Sequence, residues 1–264
     1  SMDEFTHQLT RLNNRVEIYS ASGRQNSPLV RPWTHDKDYK EYIDSKQWHE
    51  VYDSFVDATT PVSVAKKILG DKYPFAPGEA QDVSLAVYKV VAGCAAMAIP
   101  ADASKYMTIE EYNALWSIEN LHHYLTHSAS TLSQAPMDMA SALLTDMMET
   151  MDQAVKGSNE YAVMLRFGHA ETMMPLLALM RLPGCYYMTN YFDTVGLHWR
   201  DFHVVPMASN LQMFLFKSKS GRYYVRVDLN EVPVPLIPGR SDLYTPWEKA
   251  KEYMTRCLPL YLQP

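Results

Sequence analysis

Cysteine is scarce in this sequence. Its three residues, Cys94, Cys185 and Cys257, are an odd set with no C-x-x-C pair, so neither a zinc module nor a disulfide framework is written there. Long apolar runs are missing too: the longest uncharged one, Val90–Pro100, falls far short of the ~20 residues needed to cross a bilayer. No charged start with an apolar stretch behind it opens the chain. No membrane span is expected. Basic excess is lacking, since 24 Lys and Arg stand against 30 Asp and Glu for a net charge of −6, which removes the field that steers proteins to nucleic acid. Glycine is sparse at 10, and with 47% apolar residues this excludes collagen-like and disordered chains. The stretch Ser20-Ala21-Ser22-Gly23-Arg24 is too short for a phosphate-cradling loop and lacks the glycine-lysine ending of a P-loop.

What is present is a long helical middle. Met2 to Leu12 reads as helix and Val16 to Tyr19 as strand; an opening in mid-element, with Ser1-Met2 resembling an expression scar, leads us to expect that upstream sequence is missing. Beyond the turn-rich Ser20 to Pro32, helices are expected over Asp36 to Phe55, Pro61 to Leu69, Glu79 to Ala98, Ile109 to Leu125 and Pro136 to Val155. In the third, Val83, Val87, Val90, Val91, Cys94 and Met97 share a face, with Cys94 a buried small hydrophobe; in the fifth, Leu143, Leu144, Met147, Met148, Met151 and Val155 do. Thr108 with Glu111 reads as a capping box. The methionines, 16 in all, read as core filler.

The period changes after Lys156-Gly157-Ser158. Tyr161 to Phe167 is apolar on both faces apart from Arg166, the pattern of a sheet strand covered on two sides. Leu211 to Phe216 and Tyr223 to Leu229 read as a β-hairpin, and Thr245-Pro246-Trp247-Glu248 as the cap of a last helix reaching Cys257. The expected class is α/β: an incomplete α/β core, residues 1–35 and 158–264, interrupted by an all-α insert, residues 36–157.

Chemistry concentrates where the expected strand ends. Gly168-His169-Ala170-Glu171-Thr172 sets two ionisable side chains on the loop that opens the next helix. Ligands of α/β sheets bind at the carboxyl ends of strands, and a helix N-terminus offers unpaired N–H groups to an anion such as phosphate. Position alone equally allows Glu171 to complement the helix dipole and His169 to cap it.

Phe167-Gly168-His169-Ala170-Glu171-Thr172 with Pro175-Leu176-Leu177 resembles the proton-donor motif of multiple inositol polyphosphate phosphatases, a branch of the histidine acid phosphatases that includes phytases. Val204 to Leu211, Leu229-Asn230-Glu231 with Pro233 to Leu236, and Tyr19 to Arg31 resemble further segments of that family. The resemblance implies a histidine-phosphatase-like core, an inositol polyphosphate or other phosphomonoester as substrate, a phosphohistidine intermediate, and a secreted or periplasmic home. It implies that Glu171 protonates the leaving oxygen and that His169, catalytic and substrate-binding, donates to a phosphoryl oxygen. It calls for no cofactor and no metal. A helix N-terminus favours an ionised glutamate, whereas a phosphate dianion beside it favours the protonated acid, so work at mildly acidic pH is expected.

The family's Arg-His-Gly motif, which supplies the nucleophilic histidine, occurs nowhere in the 264 residues. The chain is thus expected to be the C-terminal portion of such an enzyme, inactive without its N-terminal portion as partner. The alternative is a catalytically inactive anion-binding or structural protein of the same fold. Other candidates are weaker: His123 and His127, four apart on a helix, lack a third metal ligand, and Arg24, Arg31, Lys66 and Lys67 are isolated cations.

Overall fold

The structure, a computed structural model, describes residues 2–21, 23–158 and 160–263. Ser1, in the expected scar, and Ser22, in the expected turn, lie outside them. Helix α1 (Met2–Leu12) is followed by a short α2 (Ser27–Val30) and a 3-10 turn, Pro32–Thr34. The Asp36 side chain accepts the Tyr39 N–H at 2.8 Å and starts α3 (Lys37–Asp44). Ser45, extended at φ −75° and ψ 150°, separates it from α4 (Lys46–Thr59), so one expected helix is two.

Helices α5 (Ser63–Leu69), α6 (Glu79–Ala96) and α7 (Ile109–His127) build the middle. The capping box forms as expected, Thr108 Oγ1 accepting the Glu111 N–H and Glu111 the Thr108 N–H. Helix α6 buries Ser84, Tyr88 and Val91 rather than the whole expected valine face: Val90 and Met97 are each 65% exposed, and Cys94 is only half-buried. Tyr88, Val91, Val64, Met107, Leu115 and Ile118 form a small separate core there.

After α8 (Ala135–Asp138), α9 (Ser141–Lys156) buries Leu143, Leu144, Met148 and Met151 along the expected stripe. It ends at Gly157, whose φ of +74° is left-handed and suits glycine. Helix α10 (Ala170–Leu179) and the short α11 (Val195–His198) and α12 (Asp201–Val204) lead to the sheet. Strands β1 (Leu211–Lys217) and β2 (Tyr223–Leu229) pair antiparallel with Leu211 opposite Leu229, and β3 (Val232–Val234) and β4 (Thr245–Pro246) extend β2. Helix α13 (Trp247–Cys257) packs on β2. Thr245 therefore belongs to a strand pair and does not cap α13, whose N-cap is Pro246.

The main core draws from nearly every part of the chain: Tyr42 and Trp48, Leu121 to Leu125, the α9 stripe, Met174 to Leu182, Val225 and Val227, and Trp247 to Leu258. Burial of such side chains, each worth about 1.5–3 kcal/mol, fixes α10 from behind. Among the described residues, no helix is long and apolar enough to cross a membrane.

Two expected strands do not form ladders. Val16 to Tyr19 has no sheet partner, and Tyr161 to Phe167 is neither in the sheet nor covered on two sides: Val163, Met164 and Leu165 are 67%, 45% and 46% exposed. The sheet among the described residues is a small antiparallel one that takes in neither segment. The segment before His169 instead lies along α9, with Arg166 Nε bonded to Asp146 Oδ2 at 2.6 Å and Arg166 Nη2 to Thr150 Oγ1 at 2.8 Å. Ring contacts of Phe5 with Phe167 and of Tyr19 with Tyr161, at 5.8 and 5.7 Å between centroids, bring the N-terminal stretch beside it.

Candidate active site

His169 is the N-cap of α10, with extended backbone at φ −124° and ψ 172°. Its carbonyl accepts the Thr172 and Met173 N–H groups at 3.0 and 3.1 Å. The hydroxyl of Thr172 is buried and has two partners. It accepts the His169 N–H at 3.1 Å and donates to the Val30 carbonyl at 2.6 Å, joining backbone positions far apart in sequence. A Cβ at Gly168 would stand 2.8 Å from that oxygen, so only glycine lets Thr172 fold back onto the turn.

Fixed in this way, the exposed His169 and half-buried Glu171 stand together on the first turn of α10. A helix start leaves N–H groups without intrahelical acceptors and carries the positive end of the helix dipole. Pro175, inside the helix, offers no N–H to the Glu171 carbonyl. A helix start of this kind can receive an anion, and here a carboxyl group stands beside it.

Residues that the sequence did not mark as functional complete the surroundings. The Trp33 ring stands edge-on to the His169 ring, 5.7 Å between centroids at 81°. Tyr39 is buried behind the site; burial, and then the charge of Glu171, push its hydroxyl up to about 12. Its hydroxyl lies 3.4 Å from His127 Nε2, and Thr126 Oγ1 lies 2.8 Å from His127 Nδ1. Thr126 donates its own proton to the His122 carbonyl at 2.7 Å, so it accepts from Nδ1–H, and Nε2 faces Tyr39 as the acceptor. Burial, with His123 and His122 nearby, pushes His127 down to about 3, so this imidazole is neutral.

The weaker candidates separate. His123 Nδ1 pairs with Asp201 at 2.9 Å while His127 faces Tyr39, and no group of three His, Cys, Asp or Glu among the described residues could hold a metal. Lys67 bonds Glu111 at 2.8 Å, whereas Arg24, Arg31 and Lys66 are exposed. The three cysteines are free thiols, and burial pushes Cys185 up to about 12 and raises Cys257. A cavity of about 280 Å³ opens beside α3, but Asp36, Asp38, Glu41 and Asp138 in its wall make it a poor seat for phosphate.

The model of the histidine phosphatase superfamily, branch 2, matches residues 7–230. Multiple inositol polyphosphate phosphatase 1 of Dictyostelium discoideum is 34% identical over 93 residues, 33% of this chain and 14% of that protein. The Homo sapiens protein of the same name is 34% identical over 109 residues, 36% of this chain and 22% of the relative. Among solved structures, Bifidobacterium longum multiple inositol polyphosphate phosphatase in complex with inositol hexasulfate superposes with a TM-score of 0.69 at 18% identity, over 91% of this chain and 60% of that one. Its complex with phosphate gives 0.66 at 17%, over 84% and 58%. These likenesses show the fold, and the chain spans under two thirds of each of these proteins.

Proposed function

Because the chain belongs to branch 2 of the histidine phosphatase superfamily, we propose that it is the acid-bearing portion of a phosphomonoesterase acting on inositol polyphosphates. The observation that carries the reading is the pairing of His169 and Glu171 on one anion-favouring helix start. In this proposal a histidine from outside the chain's own motifs attacks phosphorus, and the bond from phosphorus to the inositol oxygen breaks. Glu171 gives its proton to that oxygen, and His169 with the α10 amides binds the phosphoryl oxygens. Water then attacks the phosphohistidine, Glu171 takes the water proton, and phosphate and free histidine result.

The substrate class is supported by the names of the relatives and by the inositol hexasulfate bound to the bacterial neighbour. The partner we propose is the N-terminal portion of the same enzyme. The exposed apolar run Val163-Met164-Leu165, separated from His169 by three residues, supports it, since such a run near a site marks an interaction surface. Residues 1–35 and 158–264 then belong to the α/β core and 36–157 to the insert, and a secreted or periplasmic location is part of the same proposal. The absence of Arg-His-Gly favours one rival, a catalytically inactive anion-binding or structural protein of the same fold.

Phosphate release from inositol hexakisphosphate tests this, measured for the 264-residue chain alone and for the chain joined to the upstream coding sequence of its gene. We expect none from the first and turnover from the second. Robust hydrolysis by the chain alone would refute the split site, and an upstream sequence without a nucleophilic histidine would leave the inactive binder.

A further inference from the structure

We propose that Trp33 is a positioning residue for His169, delivered to it by the strap Ser27–Thr34. The inference rests on the reading of His169 as a phosphoryl-binding group and goes beyond it by naming what holds the imidazole. The Thr172 hydroxyl fixes only the backbone of His169. The ring itself is exposed to solvent and needs a lateral contact to keep one rotamer. Trp33 supplies that contact in the edge-on geometry that aromatic pairs prefer.

The strap is built to hold the indole in place. Its middle, at the end of α2, is tied to α10 through Thr172 and the Val30 carbonyl. Leu29 packs on the main core and Pro32 is buried, so the turn that carries Trp33 is anchored to the body of the protein on its N-terminal side. Two backbone bonds close the turn, Thr34 N–H to Arg31 O at 3.1 Å and His35 N–H to Pro32 O at 2.9 Å. The same hydroxyl that sets the His169 backbone thus sets the position of Trp33, and movement of the strap would move backbone anchor and ring contact together.

The experiment uses the whole chain labelled with ¹³C-histidine, the His169 resonance being assigned by loss in His169→Gln. We expect a nuclear Overhauser contact between the Trp33 and His169 rings. Trp33→Leu should move the His169 ring resonance more than those of the other histidines, and Trp33→Phe, which keeps an aromatic edge, should move it less. In the joined enzyme Trp33→Leu should lower kcat about three- to tenfold with little change in KM. A wild-type chain without the ring contact, a folded Trp33→Leu chain with an unmoved His169 resonance, or an unchanged kcat would each overturn the proposal. An inactive joined enzyme with the ring contact intact would instead overturn the functional reading, and the resonance would still decide on Trp33.

Discussion

Asp138→Asn is expected to stabilise the protein at neutral pH and to do nothing in acid. Asp138 lies in the wall of the acidic cavity, where burial first, and then Asp36 and Asp38, raise its carboxyl from 3.8 to about 6; Glu41 and Tyr261 line the same space. Because the folded value lies above the unfolded one, ionisation destabilises the fold. The cost is absent below the unfolded value, grows between 3.8 and about 6, and is complete above that. At 1.36 kcal/mol per tenfold difference in proton affinity, the full cost is about 3 kcal/mol. Water reaches the half-buried group, so about 1–3 kcal/mol is the working expectation. Asparagine keeps the shape and carries no charge, and for a chain of this size the gain corresponds to roughly 2–10 °C in melting temperature. Thermal or urea unfolding of both proteins at pH 7.5 and pH 3.5 reads the difference. An equal gain at both pH values, or a loss at pH 7.5, would refute the assignment of the cost to ionisation of a half-buried carboxyl group beside Asp36 and Asp38.

Three further outcomes are expected. Thr172→Val should cost about 1–3 kcal/mol, because it leaves the Val30 carbonyl and the His169 N–H without their partner, and Thr172→Ser should restore most of it; unfolding midpoints check both. The depressed His127 value makes the fold acid-sensitive: its contribution is complete above the ordinary 6.5 and is lost as pH falls toward about 3, reaching about 2 kcal/mol of loss at pH 5. His127→Gln, which cannot charge, should therefore flatten the stability curve between pH 7 and 5, and an equally steep curve would contradict this. Leu177→Ala, at 0% exposure behind the site, should destabilise by about 3–5 kcal/mol in the same unfolding measurement, and a cost under 1 kcal/mol would show that the core closes over the gap.

Local signals were legible in the sequence. The α9 stripe, the Thr108–Glu111 box and the β1–β2 hairpin each depend on neighbours a few residues away, and each forms where its pattern places it. Tyr161 to Phe167 shows the limit of pattern: an apolar run implies cover but does not say what provides it, and among the described residues this segment joins no sheet and keeps Val163, Met164 and Leu165 exposed. At the site, His169 and Glu171 stood out as ionisable groups at a helix start. Their surroundings did not, because the links from Thr172 to Val30, Trp33 to His169 and Arg166 to Asp146 depend on the tertiary fold. Tyr39 carries no sign in the sequence beyond its place on an amphipathic helix.

The most direct test of the proposed chemistry is Glu171→Gln in the joined enzyme, assayed on two substrates. Inositol hexakisphosphate has an alkoxide leaving group that needs a proton, whereas an activated aryl phosphate such as p-nitrophenyl phosphate leaves without one. If Glu171 is the leaving-group acid, turnover on inositol hexakisphosphate falls by on the order of 10²–10⁴ while the loss on the aryl ester is far smaller. Equal losses on the two substrates, or no loss on the first, would contradict it.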